Sequence, residues 1–99
     1  MSRPNLLPEA DITEAVAGLD DWQREGDALV AHFAFANFVE AFAFMTACAD
    51  VSEELDHHPE WSNVYNRVEV RLTTHDAGGI TALDVAWASR ASVLVGRAS

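Results

Sequence analysis

The chain reads as an α+β fold: a four-stranded antiparallel sheet with three helices packed on one face, in the order α-β-β-α-β-β-α. Three observations predict it. Residues 66 to 74 alternate in polarity with the two-residue period of strands, residues 28 to 35 follow a hairpin turn with one face more apolar than the other, and residues 37 to 54 carry apolar side chains at helical spacing. The connections are of hairpin length with an amphipathic helix between the two strand pairs, which favours an antiparallel sheet carrying helices on one side.

The elements follow in order. Residues 9 to 19, EADITEAVAGL, put Ile12, Val16 and Leu19 at i, i+4 and i+7 behind Pro8, the pattern of a short amphipathic helix. A hairpin comes next, with Gly26-Asp27 as its turn, a first strand near Trp22 to Glu25 and a second over Ala28 to Phe35. In the second strand Leu29, Ala31, Phe33 and Phe35 share one face, while Val30, His32 and Ala34 share the other. Asn37 followed by Glu40 resembles a reciprocal helix cap. Behind it Phe38, Phe42, Met45 and Ala49, with Ala41 and Cys48 beside them, form a wide apolar stripe running on toward Glu54, which is core rather than a ligand box.

Pro59 disfavours the helical conformation at His58, so this helix ends near His57 and His58 and leaves them on a helix-to-strand loop. In NRVEVRLTT, from Asn66, Val68, Val70 and Leu72 point one way and Arg67, Glu69, Arg71 and Thr73 the other, a strand with one wet face. HDAGGIT supplies a turn, with Ile80-Thr81 as a brief fourth strand. Thr81 with Asp84 then caps a last helix whose apolar side is Leu83, Ala86, Val93 and Leu94.

Ninety-nine residues make one domain, 1–99, since two bodies of half that size would each bury little. Sixteen acidic against six basic residues give a formal charge of -10, which repels phosphate backbones and anionic membrane surfaces, so neither nucleic acid nor membrane is an expected partner. No apolar run is long enough to span a bilayer and MSRPNLLPEADI lacks a signal-type apolar region, so a cytoplasmic chain is expected. The single cysteine, Cys48, reads as buried packing rather than a reactive thiol.

Chemistry concentrates in ELDHHPEW and the turn that follows the strand. His57, His58 and His75 lie in loops flanking a strand. Imidazole, with an ordinary pKa of about 6.5, both gives and accepts protons near neutrality. Along a flat strand rising ~3.3 Å per residue some ~30 Å would separate His75 from the other two. Only a fold that bends the loop back over the sheet gathers them. Glu53 and His57 at i, i+4, joined by His75, could supply three ligands to a zinc ion, but the spacing matches no compact zinc signature and no thiolate is near. Histidines at a helix C-terminus are also favoured by the dipole alone, which accounts for neither His75 nor Trp61.

Glu53, then after three intervening residues His57-His58-Pro59, then Tyr65, His75 and Asp84 stand in an order and spacing that resemble the pterin-4a-carbinolamine dehydratase family. Trp61 and the TTHDAGGIT turn match as well, and Trp22 stands where the family usually carries a Trp before its first hairpin. The resemblance covers about residues 9 to 94, with no departure at the motif positions.

The resemblance implies loss of water from a 4a-hydroxytetrahydropterin (the 4a-carbinolamine) to give quinonoid dihydropterin, in tetrahydropterin recycling, with no metal and no other cofactor. It implies His57, His58 and His75 as the catalytic residues; the division of roles expected among them, which the resemblance does not supply, is that His57 and His75 exchange protons with the substrate while His58 holds and polarises it. Trp22, Glu53, Pro59, Trp61 and Asp84 are then substrate-binding, Trp22 or Trp61 stacking on or walling in the flat pterin. Asp84 could equally orient a histidine or cap the last helix, and Glu53 could equally partner a histidine or sit on a solvated face. Tyr65 reads as packing and His32 as a structural or surface residue. A pterin is the expected small-molecule partner, and a homodimer or homotetramer the expected assembly. Two alternatives stand beside this reading: a protein-binding dimerisation cofactor module, for which only Phe44 and Trp87 hint at an exposed apolar patch, and a pterin-binding protein acting in molybdenum cofactor metabolism.

Overall fold

A computed structural model of the chain describes residues 5–98. The elements are α1 Glu9–Ala17, β1 Trp22–Glu25, β2 Ala28–Ala34, α2 Phe38–Leu55, β3 Glu60–Val64, β4 Arg67–Leu72 and α3 Ala82–Ala98. The four strands form one antiparallel sheet in the order β1-β2-β4-β3, as the α+β pattern predicted.

The fourth strand is not the expected one. It is β3, between Pro59 and the β3–β4 turn, whereas Thr81 forms only an isolated bridge to Leu6 and Ile80 is held by a bond from Leu7 N to its carbonyl. The residues of β3, EWSNV, lack a run of apolar residues because the strand lies at the sheet edge and only Trp61 is packed against the core. Thr81 is committed instead to starting α3. Its backbone N–H donates to Asp84 Oδ2 at 2.9 Å and its Oγ1 accepts from Leu83 N at 3.2 Å, the reciprocal cap that the sequence predicted.

Strand alternation buries Leu29, Ala31, Phe33, Val68, Val70 and Leu72 against the helices, while His32, Glu69 and Arg71 face outward. Register aligns Trp22, Ala31, Val70 and Trp61 in one row across the sheet. The small side chains in the middle of that row leave room for Trp87 of α3. Its ring meets Trp22 edge-on at 6.3 Å and Trp61 at 6.2 Å, the arrangement that the aromatic quadrupole favours. Both buried indole N–H groups are satisfied, Trp87 by Ser52 Oγ at 2.9 Å and Trp22 by Ser92 Oγ at 3.1 Å.

Helix phases differ from the predicted ones. In α2 the buried residues are Ala41, Phe44, Cys48, Val51 and Ser52, whereas Phe38 and Phe42 are about half exposed and stack on each other at 5.6 Å. Residues 38, 41, 42, 44, 45 and 48 are nearly all apolar, so the inner face could not be told from the outer until β2 supplied Phe33 and Phe35, both against Phe44 at 5.1 Å. In α3 the buried residues are Asp84, Trp87, Ala88 and Ala91, while Val93 is exposed. Phe44 and Trp87, the expected surface patch, are therefore core. Tyr65, expected to pack, is exposed in the turn between β3 and β4 with φ 51°.

Asn37 accepts from Glu40 N at 2.9 Å as expected of a cap, but Glu40 answers to Ala36 N rather than to Asn37. In α1, Ile12 is buried with Val16 packed beside it, and an ion pair between Glu9 and Arg24 ties the helix to β1. Beside that guanidinium the Glu9 carboxyl is held below its ordinary value, chiefly through the hydrogen bond from Arg24.

Cys48 is fully buried, and loss of hydration pushes its thiol up to about 12. A raised thiol value means the folded chain favours the protonated form. That contribution to stability is fully present below the unfolded value and is lost as pH rises through the folded one. Thiol alkylation of the native chain near neutral pH should accordingly be negligible, and should become complete on unfolding in urea; rapid native-state labelling would contradict this burial.

Candidate active site

The ends of two elements and one turn build the site. Helix α2 stops at Leu55, and Asp56 adopts a left-handed conformation at φ 49° that turns the chain out of the helix axis. Bonds from Asp56 N to Glu53 O and from His57 N to Ser52 O close the helix end. His57 then enters the protein and His58 faces solvent.

Pro59 passes the chain into β3, whose first residue, Glu60, lies opposite Arg71 of β4. This hairpin answers the distance problem posed by the sequence. Because β3 runs out and β4 runs back, the residues just before β3 and just after β4 sit at the same end of the sheet. The turn after β4 is closed by paired backbone bonds between Thr74 and Gly79, with Gly78 at φ 78° making the reversal.

His57, His58 and His75 consequently line one hollow of about 210 Å³, together with Asp56, Thr73, Thr74 and Asp76. Two larger hollows, about 290 and 370 Å³, lie on the open face of the sheet and between α2 and α3. The first offers only the exposed His32 and the second no imidazole.

Each site histidine bonds a carboxylate through Nε2. His57 meets Asp84 Oδ1 at 2.6 Å, His58 meets Glu53 Oε2 at 2.6 Å, and His75 meets Glu60 Oε1 at 3.0 Å. The first pair is buried and the other two are exposed. Asp84, fully buried, also accepts from Thr81 N at 2.9 Å and Thr74 Oγ1 at 2.8 Å on its other oxygen. A carboxylate offers only acceptors, so the bond from His57 keeps hydrogen on Nε2, and in the neutral ring Nδ1 then carries the lone pair. Among the described residues no buried side-chain nitrogen or oxygen lacks a partner and no bond is made to His57 Nδ1, so that atom reaches the surface.

Asp84 therefore carries both roles left open by the sequence, helix cap and histidine partner. Glu53 partners His58 rather than standing free on a solvated face. Trp22 is corrected: it is 2% exposed and wedged between Phe33 and Trp87, with no open ring face for a flat ligand. Trp61 is half-buried against Trp87 and does not line the hollow, and Asp84 reaches it only through His57 and Thr74. Two residues escaped the sequence reading. Thr74 bonds both Thr81 Oγ1 and Asp84, and Glu60 bonds His75; only their adjacency to histidines and proline marked them. Glu53 turns to His58, not to His57 as an i, i+4 ligand pair would require, and no group of three or more His, Cys, Asp or Glu side chains converges as a metal site does among the described residues.

Such a scaffold defines a class: a small α+β domain that gathers imidazoles at one end of a hairpin, each braced by a carboxylate and so suited to moving protons. Comparison with known sequences gives the class its family. The model of the pterin 4 alpha carbinolamine dehydratase family matches residues 5–94, and the chain belongs to that family. A relative from Mesorhizobium japonicum bearing the same family name is 53% identical over 92 residues, covering 91% of this chain and 93% of its own. Among solved structures, a transcriptional coactivator/pterin dehydratase from Brucella melitensis superposes with a TM-score of 0.90 at 44% identity, covering 93% of this chain and all of that one. A pterin dehydratase-like protein described as a RuBisCO assembly factor in the alpha-carboxysome superposes at 0.63 with 29% identity, covering 76% of this chain and 87% of that one.

The contrast between buried and exposed pairs has a measurable consequence. Asp84→Ala strands the donors of His57, Thr74 and Thr81 and should cost about 3 kcal/mol or more in urea denaturation. Glu53→Ala, on an exposed pair, should cost within about 1 kcal/mol; equal losses would overturn the assignment of Asp84 as the buried keystone.

Proposed function

We propose that this chain dehydrates a 4a-hydroxytetrahydropterin to quinonoid dihydropterin plus water, returning the pterin for reduction in tetrahydropterin recycling. The single observation that carries the reading is the meeting of His57, His58 and His75 around one hollow in a chain of this family.

The chemistry needs a proton delivered to the departing C4a hydroxyl and a proton removed from N5. The C4a–O bond breaks as water leaves, and the C4a–N5 double bond forms. Neutral imidazole with one bare nitrogen suits the removal, and imidazolium suits the delivery. His57 and His75 exchange these protons, and His58 with Glu53 holds and polarises the substrate. Asp84 acts on His57 by fixing its ring and stabilising the imidazolium that follows proton uptake, as a buried carboxylate does beside a general base. No step calls for a nucleophilic side chain. The walls beside the histidines are supplied by Thr73 and Thr74 rather than by Pro59 or Trp22, neither of which lines the hollow. His57→Ala, His58→Ala and His75→Ala should each lower dehydration by roughly 10²-fold or more, measured from the formation of quinonoid dihydropterin; full activity in all three would end the reading.

The chain is also read as self-associating, as a homodimer or homotetramer. What supports this is the small size together with the exposed cluster Phe38, Val39 and Phe42 on α2, apolar area that a second copy would cover. The same cluster, rather than Phe44 or Trp87, is where a protein-binding module would present its contact. Light scattering should give a mass above that of one chain, and Phe42→Glu should lower it; a monomer at high concentration would contradict the expectation.

A further inference from the structure

His75 is the least constrained of the three imidazoles. Its side chain is 78% exposed, it stands on a turn rather than a regular element, and the ring's one hydrogen-bond partner among the described residues is Glu60. Glu60 is itself held. It heads β3 directly after Pro59, faces Arg71 across the strand pair, and sets its second oxygen 3.6 Å from Arg71 Nη1 while the first accepts from His75 at 3.0 Å.

We propose that Glu60, braced by Arg71, is a positioning residue that fixes the tautomer and direction of the His75 ring at the hollow. The proposal rests on the reading of His75 as a proton-exchanging group. An exposed imidazole left alone turns about its side-chain bonds and carries its hydrogen on either nitrogen. The carboxylate removes that freedom: it accepts only, so Nε2 keeps the hydrogen and Nδ1 keeps the lone pair. Arg71 is needed because a glutamate on the wet face of an edge strand would otherwise spread over its own rotamers. A cation fixed one strand away, on a backbone registered by hydrogen bonds, narrows that spread. The third imidazole thus receives from β3 and β4 what the first receives from the buried Asp84, with the difference that its support lies in solvent.

The test uses the full chain with ¹⁵N-labelled histidine. Long-range proton–nitrogen correlation spectra separate bare from protonated ring nitrogens, and are recorded at about pH 8, where an ordinary imidazole is neutral. Wild type should give the Nε2–H form at His75. Glu60→Ala should give a mixture of both forms, and Glu60→Gln, which keeps an acceptor oxygen, should recover much of the wild-type pattern. The signals of His57 should not move in any of them. In the dehydration assay Glu60→Ala should lower kcat on the order of 10-fold with KM little changed, as misplacement of a reacting group does, and Arg71→Gln should lower it less. An unmoved His75 tautomer in Glu60→Ala would overturn the proposal, as would unchanged kcat in that variant beside a lowered kcat in His75→Ala. A wild-type chain without dehydratase activity would sink the functional reading alone, because the spectra decide separately whether Glu60 holds His75.

Discussion

The buried carboxylate of Asp84 is the constraint on which the site's order depends. A charge with no water around it is costly unless donors surround it, and here three converge: the Thr81 backbone, the Thr74 hydroxyl and the His57 ring. Those donors come from the start of α3, the turn after β4 and the loop after α2. One side chain therefore makes three separate segments mutually dependent. Satisfying it forces the loop bearing His57 against the turn bearing His75.

Core packing decides where that carboxylate lies. Trp87, seated between Trp22 and Trp61 over the small residues Ala31 and Val70, sets the rotation of α3 about its axis. Asp84 is three residues earlier and so shares the inward face, one turn nearer the helix start. Both are fully buried. The aromatic row thus connects sheet register to site geometry, which explains why Trp22 belongs to the fold although it lies away from the hollow.

The three imidazoles differ in how firmly they are held. His57 is locked in the interior by a fully engaged partner, whereas His58 and His75 rely on exposed glutamates that salt and solvent weaken. Under the proposed dehydration such a gradient has a use. The fixed imidazole can define the reacting position, while the outer two, each held by one exposed glutamate, stand at the solvent side of the hollow.

Much of this was readable along the chain. Period-two alternation around Val68–Leu72, the Gly26-Asp27 turn, the Asn37 and Thr81 caps and the helix stop before Pro59 are local preferences, expressed by neighbouring residues whatever surrounds them. The histidines and their acidic companions were likewise visible as residue types at fixed spacings. Which face of α2 turns inward was not, because its apolar residues cover most of the circumference and only Phe33 and Phe35 select Phe44. Nor was β3, an edge strand with little apolar signal of its own, whose pairing with β4 comes from distant backbone groups. By itself the sequence determined the three helices, three of the four strands, the family pattern and the titrating groups, since these depend on short-range chemistry. Only the tertiary structure decided that His57, His58 and His75 meet and which carboxylate each one takes, because those contacts arise from strand pairing and burial between residues far apart in the chain.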